Sequence, residues 1–461
     1  MAKIDNRQDS NIPSLHQRQC EFFASGETRP LNFRLATLEN LGRVIEKREE
    51  EILNSLSKDL GKPEVEGYIS EFYFLLHEIR HTCKNLKRWA KPKRASNPFY
   101  YLPARSEIRQ EAIGTVLVLS PWNYPFQLSL SPLIAAIAAG NTVILKPSEK
   151  APATADLLNS IVSEVFPPDH AAVVIGEVNE ASELLEQPFD FFFFTGAEKV
   201  GRLVAAAAAK HLSPAVLELG GKSPCIVDKT ADIDIAAERI VSGKFLNAGQ
   251  TCMAPDFVAA EESIREALIE KLQQQLKDRY GHGREEDLAR ILDRERFDAI
   301  SRVVKEPIFA VGEDVSSRLR MAPKLLPEAN WNDECMQEEI FGPVLPIVPF
   351  QDLEHLQTRL QSHSEALALY VFSRDKDFRE AMAQSHPSGT VCFNDVIKQA
   401  TNLKLPFGGV GASGMGRYRG IAGFQTFTYT RSVTKRYFWK DFFTLNPPYD
   451  GALERIRKIL R

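Results

Sequence analysis

TVLVLSPWNYPFQLSLSPLIAAIAAGNTVILKPSE, residues 115–149, decides the architecture of the chain. Thr115–Leu119 is an unbroken run of apolar and β-branched residues, the pattern of a strand buried on both faces. A Pro- and Asn-containing turn follows, then 127–139 reads as a helix, and after Gly140 a second buried strand occupies 142–145. Strands alternating with helices imply a parallel sheet wound on both faces, which binds nucleotides at the carboxyl ends of its strands.

The alternation continues in both directions from this stretch. Downstream, 171–175 and 191–194 read as further buried strands, with helices over 152–165 and 198–210. A second series starts at Ala215, with strands at 225–227, 257–260, 344–348, 367–372 and 390–393, so the chain divides into two α/β domains. Upstream, 31–60 and 64–90 read as two long amphipathic helices separated by Gly61-Lys62-Pro63. Between them and Ile113, 99–102 and 107–111 read as short exposed strands.

The 461 residues, 44% hydrophobic and 26% charged, suit a soluble globular protein of two or three domains. A net charge of −4 gives no electrostatic reason to expect nucleic acid. Cys20, Cys83, Cys225, Cys252, Cys335 and Cys392 are scattered, without the spacing of a disulfide framework or a zinc site, and a reducing cytoplasm is expected. The opening MAKIDNRQDSNIP lacks the apolar core of a signal peptide, and no run approaches the length of a spanning helix. The closing YDGALERIRKILR places Leu453, Ile456 and Ile459 on one stripe and Arg455, Arg457, Lys458 and Arg461 elsewhere. It reads as a plain docking helix or as a peripheral contact with an anionic membrane surface.

Several segments carry residues with chemistry, each with a bland alternative. In FLNAGQTCMAP, Cys252 is crowded by Asn247, Gly249, Gln250 and Thr251; it is a packing residue, or a nucleophile whose pKa is lowered by nearby donors. In LELGGKSP, Glu218 ends a buried strand and is either a salt-bridged carboxylate or a partly desolvated general base. In LSPWNYPFQ, Asn123 is a turn residue or an amide donor to a developing oxyanion. His170, His282 and His386 lie at turns without a catalytic context. Lys146 and Glu149 of LKPSE suit ribose hydroxyls, and a carboxylate there favours NAD over NADP. Thr195, Gly196 and Gly201 form a strand-to-helix turn where the backbone can approach a pyrophosphate. Glu339 and Phe341 of QEEIFGPVLP suit a nicotinamide ribose, and 408–416 suit the lining of a crevice; otherwise these are tight turns.

Taken together, Trp122-Asn123-Tyr124-Pro125, Lys146-Pro147-Ser148-Glu149, Thr195-Gly196, Glu218-Leu219-Gly220-Gly221-Lys222, Gly249-Gln250-Thr251-Cys252, Glu339-Ile340-Phe341-Gly342-Pro343 and Pro406-Phe407-Gly408-Gly409 occur in the order of the aldehyde dehydrogenase superfamily, which the chain resembles from about residue 31 to 445. The interval of 34 residues from Glu218 to Cys252 also matches. KHLSPAVLELGGKSPCIVD, GQTCMAPDFV and LPFGGVGASGMGRYRGIAGFQTF resemble the class 3 branch, which acts on medium-chain, fatty and aromatic aldehydes. Ala197-Glu198-Lys199 departs from the small or hydroxyl pair common after the strand-end Thr-Gly.

The resemblance implies an aldehyde dehydrogenase-like α/β fold: a Rossmann-type cofactor domain over 1–217, with 93–112 in a small oligomerisation extension, a catalytic domain over 218–411, and a C-terminal segment over 412–461. It implies oxidation of medium- or long-chain or aromatic aldehydes to carboxylic acids through a thioester on Cys252. Asn123 would hold the oxyanion and Glu218 would activate water, while Trp122, Lys146, Glu149, Thr195, Gly196, Gly201, Glu339 and Phe341 would serve the cofactor. NAD is expected, with NADP left open. Tyr124 and Phe407 suggest an apolar substrate tunnel. 99–111 and 424–437 match the family's oligomerisation strands, and a homodimer is implied. The membrane-anchored members end in an apolar tail that this chain lacks, so a cytoplasmic enzyme is expected. A coenzyme-A-acylating relative, or an inactive scaffold on the same fold, is the alternative.

Overall fold

The computed structural model describes residues 11–439 and 447–460. The polar opening 1–10 and, in the closing helix, Arg461 and the Ile459 side chain lie outside the described residues.

Thr115–Leu119 is a central strand of a six-stranded sheet, with every residue buried. Its neighbours are Thr142–Lys146 and Phe191–Thr195, both parallel to it, and Ala171–Val173 and Ala215–Glu218 extend the parallel order outward. The helix Gln127–Ala139 is buried on all sides, as a helix apolar around its whole circumference must be, and ends at Gly140 in the left-handed region (φ 98°). This stretch follows the sequence pattern closely because both faces of the sheet are covered.

The second sheet has seven strands in the order Phe309–Ala310, Lys324–Leu326, Val344–Phe350, Phe257–Glu261, Pro224–Val227, Ala366–Phe372, Ser388–Phe393, parallel except at the first pair. All five strands expected in the second series are present. The first two strands in this order, with two and three residues, are too short to carry a pattern.

One assignment is corrected. Ala215–Glu218 does not begin the second series; it pairs with Phe191–Thr195 in the first sheet, where the helix Glu198–Lys210 returns the chain as a parallel crossover. Gly414–Met415 then pairs antiparallel with it from the other side. The chain therefore leaves the first sheet at Glu218, builds the second and comes back, which puts Glu218 at a strand end beside both.

Three local expectations also change. The 31–60 helix is two, Leu31–Lys47 and Glu49–Leu60, broken at Arg48. Glu49, Glu50 and Glu51 favour a new helix N-terminus, and Arg48 pairs with Glu51 at 2.7 Å. The 64–90 run is helical to Trp89 but contains a π turn, Tyr68–Tyr73, that carries Glu71 and Phe72 into the interior. Phe99–Tyr101 is a 3-10 turn rather than a strand, while 107–111 lies within the strand Ala104–Ala112. That strand pairs with Lys93–Ala95 and Thr428–Arg436 in an antiparallel three-stranded extension. The closing segment forms the helix Ala452–Leu460, with Leu453 exposed.

Candidate active site

The cysteine loop is held in a strained shape. After the helix Ile233–Phe245, Asn247 and Ala248 both take φ 54°, which costs a non-glycine residue on the order of 1 kcal/mol or more. Their environment fixes them there. The Asn247 N–H donates to Glu66 Oε2 at 2.9 Å, and its side-chain amide donates to the carbonyls of Asn123 (2.9 Å) and Gln250 (3.1 Å). Gly249 follows at φ 73°, where a Cβ would collide with the carbonyl oxygen of Gly342. The Gln250 amide donates to Arg290 O at 2.8 Å and accepts from Leu292 N at 3.0 Å. Thr251 Oγ1 and Tyr124 OH share a hydrogen bond of 2.6 Å.

Cys252 follows this loop, half-buried at the wall of a cavity. Its thiol is pushed up to about 12, first by burial and then by the Glu339 and Glu218 carboxylates; the Arg419 cation works against them. The Cys252 backbone N–H also lowers it, as donors were expected to do, but burial and the two carboxylates outweigh that effect. The local amides are spent on backbone carbonyls, and Cys252 rests as a thiol that needs a base or a change in its surroundings to ionise.

Asn123, in the turn after the strand Thr115–Leu119, lines the same cavity as Cys252. One amide N–H donates to Gln250 O at 3.0 Å, so the oxyanion candidate is tied to the cysteine loop itself. Its own carbonyl accepts from Lys62 Nζ at 3.0 Å. Lys62 is fully buried and paired with the equally buried Glu71, whose other oxygen accepts the N–H of Phe126 (2.9 Å) and of Gln127 (3.2 Å) at the start of the helix Gln127–Ala139. Lys62 Nζ also lies 4.1 Å from the centre of the Tyr124 ring. The pair thus clamps both ends of the WNYP turn. Neither residue was picked out in the sequence, where they read as ordinary charges; the only signal was a break, Gly61-Lys62-Pro63, carrying a cation between two helices.

Glu218 is 3% exposed and, among the described residues, neither carboxylate oxygen has a hydrogen-bond partner. Burial holds its carboxyl well above the ordinary range, with Arg419 and then Arg417 pulling the other way. Glu339 is raised to about 8, by burial and then by Asp256, while the Gly221 N–H and Arg296 oppose the rise. Its carboxylate rests on Gly220, where a Cβ would collide with it.

The cavity these groups share has a volume of about 670 Å³. Of the residues singled out in the sequence, Trp122, Asn123, Thr195, Gly196, Glu218, Cys252, Glu339 and Phe341 line it. Lys146, Glu149 and Gly201 are not among its lining residues. Lys146 is buried with Nζ 3.6 Å from half-exposed Glu149, and Gly201 lies under Leu219, whose Cδ2 would be 2.8 Å from an added Cβ. Tyr124 and Phe407 are also absent from the lining. Arg296, which donates to Ile340 O and lies 5.9 Å from the Phe341 ring centre, is present though the sequence did not mark it.

The cavity fits a dinucleotide. Thr195 Oγ1 is buried without a partner among the described residues, Gly196 and Ala197 lead into the N-terminus of the helix Glu198–Lys210, and Trp122 meets Phe341 edge to face at 5.6 Å. Glu198, part of the departure from the usual sequence, turns its carboxylate to Arg202 Nε at 3.1 Å, which offsets its charge beside that helix end.

The model of the aldehyde dehydrogenase family matches residues 2–433. The 4,4'-diaponeurosporen-aldehyde dehydrogenase of Staphylococcus aureus is 40% identical over 446 residues, covering 95% of this chain and 97% of that protein. The dimeric NADP-preferring aldehyde dehydrogenase of Mus musculus is 43% identical, over 93% and 95% of the two chains. A solved structure of Staphylococcus aureus AldH in its substrate-bound state superposes with a TM-score of 0.95 at 39% identity, covering 98% of this chain and 99% of that one. The aldehyde dehydrogenase family 3 member A2 of Mus musculus is 41% identical over 89% of this chain and 85% of that protein. The chain belongs to the aldehyde dehydrogenase family, within its class 3 branch.

Proposed function

We propose that the enzyme oxidises apolar aldehydes, medium- or long-chain or aromatic, with Cys252 as nucleophile, Asn123 as oxyanion donor and Glu218 as the base of hydrolysis. The observation that carries this reading is the meeting of all three side chains on one cavity whose other wall suits a dinucleotide. Glu218 takes the Cys252 thiol proton and passes it to solvent, and the sulfur attacks the aldehyde carbon; the carbonyl oxygen becomes an alkoxide held by the Asn123 amide and the Cys252 backbone N–H. Bound NAD(P)+ supplies the acceptor for the hydride the substrate carbon loses. Glu218 then takes a proton from water, the water oxygen bonds to the thioester carbon, and the C–S bond breaks to free the acid and the Cys252 sulfur. A carboxylate buried without a partner suits water activation, a step that coenzyme-A-acylating chemistry does not need.

Thr195, Gly196, Trp122, Glu339 and Phe341 would hold the cofactor at the cavity, with Lys146 and Glu149 at the strand end beyond it and Gly201 setting the approach of the helix Glu198–Lys210. Half-exposed Glu149 favours NAD, and the NADP-preferring relative supports use of NADP as well. The name of the Staphylococcus aureus relative supports an apolar aldehyde. The reading also divides the chain at 217/218 and 411/412 and makes it a cytoplasmic homodimer. The six free cysteines support a reducing compartment, and the exposed extension and the dimeric relative support the pairing of two chains. Among the described residues no helix is long and apolar enough to cross a membrane.

Turnover of decanal, benzaldehyde and acetaldehyde with NAD and with NADP tests the substrate and cofactor reading: the first two should give the higher kcat/KM, and acetaldehyde preference would contradict it. Cys252→Ser should abolish NADH production while cofactor still binds by calorimetry; residual turnover near wild type would remove Cys252 from its role.

A further inference from the structure

Lys222 closes the segment that opens on Glu218, and the reaction above does not use it. It precedes the strand Pro224–Val227, and Asp256 precedes the strand Phe257–Glu261; these strands are parallel neighbours with Pro224 opposite Phe257, so their starts bring Lys222 and Asp256 together. The Asp256 N–H donates to Ser223 O at 2.8 Å, which continues that pairing. The two side chains are only 5% and 4% exposed, and Lys222 Nζ donates to Asp256 Oδ2. An ion pair this dry is stable only when its remaining donors and acceptors are filled. They are filled from one stretch of chain. Lys222 Nζ donates to Cys335 O at 2.6 Å and to Glu338 O at 2.9 Å, which uses its last two protons, and Asp256 Oδ1 accepts the Ile340 N–H at 3.1 Å. Glu339 is therefore gripped from both sides, through the carbonyl before it and the N–H after it.

That grip matters because this stretch cannot place itself. Between the 3-10 turn Glu334–Met336 and the strand Val344–Phe350 it lies outside any helix or strand, yet it supplies Glu339 and Phe341 to the cavity wall. Phe341 takes φ 49°, a conformation that a bulky side chain keeps only where its surroundings over-determine it. The peptides leading into it are fixed: the Ile340 N–H by Asp256 and the Ile340 carbonyl by Arg296. The Glu339 carboxylate rests over Gly220, in the same segment as Lys222, where an added Cβ would be 2.1 Å from Oε2. We propose that Lys222 and Asp256 are a positioning pair for the cofactor: they fix Glu339 where its carboxylate would hold the nicotinamide ribose, in one frame with Glu218. This rests on the reading of Glu339 as a cofactor residue. A hydride acceptor displaced by about 1 Å loses rate by about 10²-fold, so a clamp on the backbone that carries its anchor acts on hydride transfer before it acts on hydrolysis.

The test uses the full-length enzyme carrying Lys222→Met, in which Lys244, with Nζ 3.9 Å from Asp256 Oδ1, remains as a counter-charge. Calorimetry reads the Kd for NADH, stopped flow reads the NADH burst with benzaldehyde and NAD, and quenched-flow mass spectrometry reads the decay of acyl-Cys252. Lys222→Met should weaken NADH binding and slow the burst, each by about ten-fold or more, while acyl-Cys252 decays within about two-fold of the wild-type rate. An unchanged Kd and burst overturn the proposal, and so does a burst and a decay slowed by the same factor, the mark of a merely structural role. If Lys222→Met does not fold, Lys222→Gln, which keeps an amide donor on a shorter stem, should show a smaller effect with the same split, and no split there overturns the proposal. Glu339→Ala separates the two levels: a wild-type Kd and burst in that variant defeat the reading of Glu339 itself. With Glu339→Ala slow, adding Lys222→Met should slow the burst no further; a further fall of about ten-fold defeats only the role of the pair.

Discussion

Two buried glutamates near the WNYP turn are satisfied in opposite ways. Glu71 is fully enclosed, and its oxygens are used by Lys62 and by two backbone N–H groups at a helix start. Glu218 is about as deeply enclosed and has no hydrogen-bond partner among the described residues. A carboxylate with all its acceptors filled braces the structure; one left empty in a cavity wall beside a cysteine is free to take a proton. Burial is common to both, and satisfaction tells them apart.

The contrast breaks most readily at Glu71. Glu71→Gln leaves the Lys62 cation buried without its counter-charge, and should cost about 3–5 kcal/mol of stability, read as a fall in denaturation midpoint. If Glu71→Gln is as stable as wild type, the assignment of Glu71 as a brace fails. Asn123→Ala should come next, with kcat lowered about 10²–10³-fold, or about 2.7–4 kcal/mol, while the melting temperature falls much less than for Glu71→Gln. Gly249→Ala, which forces a Cβ onto Gly342 O at φ 73°, should destabilise by about 1–3 kcal/mol. An unchanged midpoint would mean that the cysteine loop relaxes freely. Thr251→Val, losing the 2.6 Å bond to Tyr124, should cost only about 1 kcal/mol. Reactivity offers a separate check: because the Cys252 thiol is pushed up to about 12, its alkylation by iodoacetamide in the cofactor-free enzyme should be slow at pH 7 and climb through pH 9 and 10. A rate already saturated at pH 7 would show a thiolate at rest.

The sequence disclosed the parts of the molecule that repeat a local rule. Strand–turn–helix alternation from Thr115 gives the first sheet, because residues buried on both faces must be apolar along their whole length. Cys252, Glu218 and Asn123 were legible as a set, through their motifs and order. What stayed hidden depends on pairing across the chain. Lys62 and Glu71 look like surface charges in a helical pattern until a π turn carries Glu71 inward to the start of another helix. Arg419 looks like any loop arginine until three rings close around it. Ala215–Glu218 has the pattern of a buried strand, but nothing in four residues says which sheet it joins. The high thiol pKa was missed for a related reason: donors near in sequence were counted, while the carboxylates that arrive from Glu218 and Glu339 were not.

The measurement that bears most directly on the division between brace and base is the state of Cys252 in Glu218→Gln during turnover. The account predicts a protein that folds as wild type, forms NADH in a single burst, and carries the acyl mass on the peptide containing Cys252. An unmodified Cys252 peptide together with sustained turnover would contradict it.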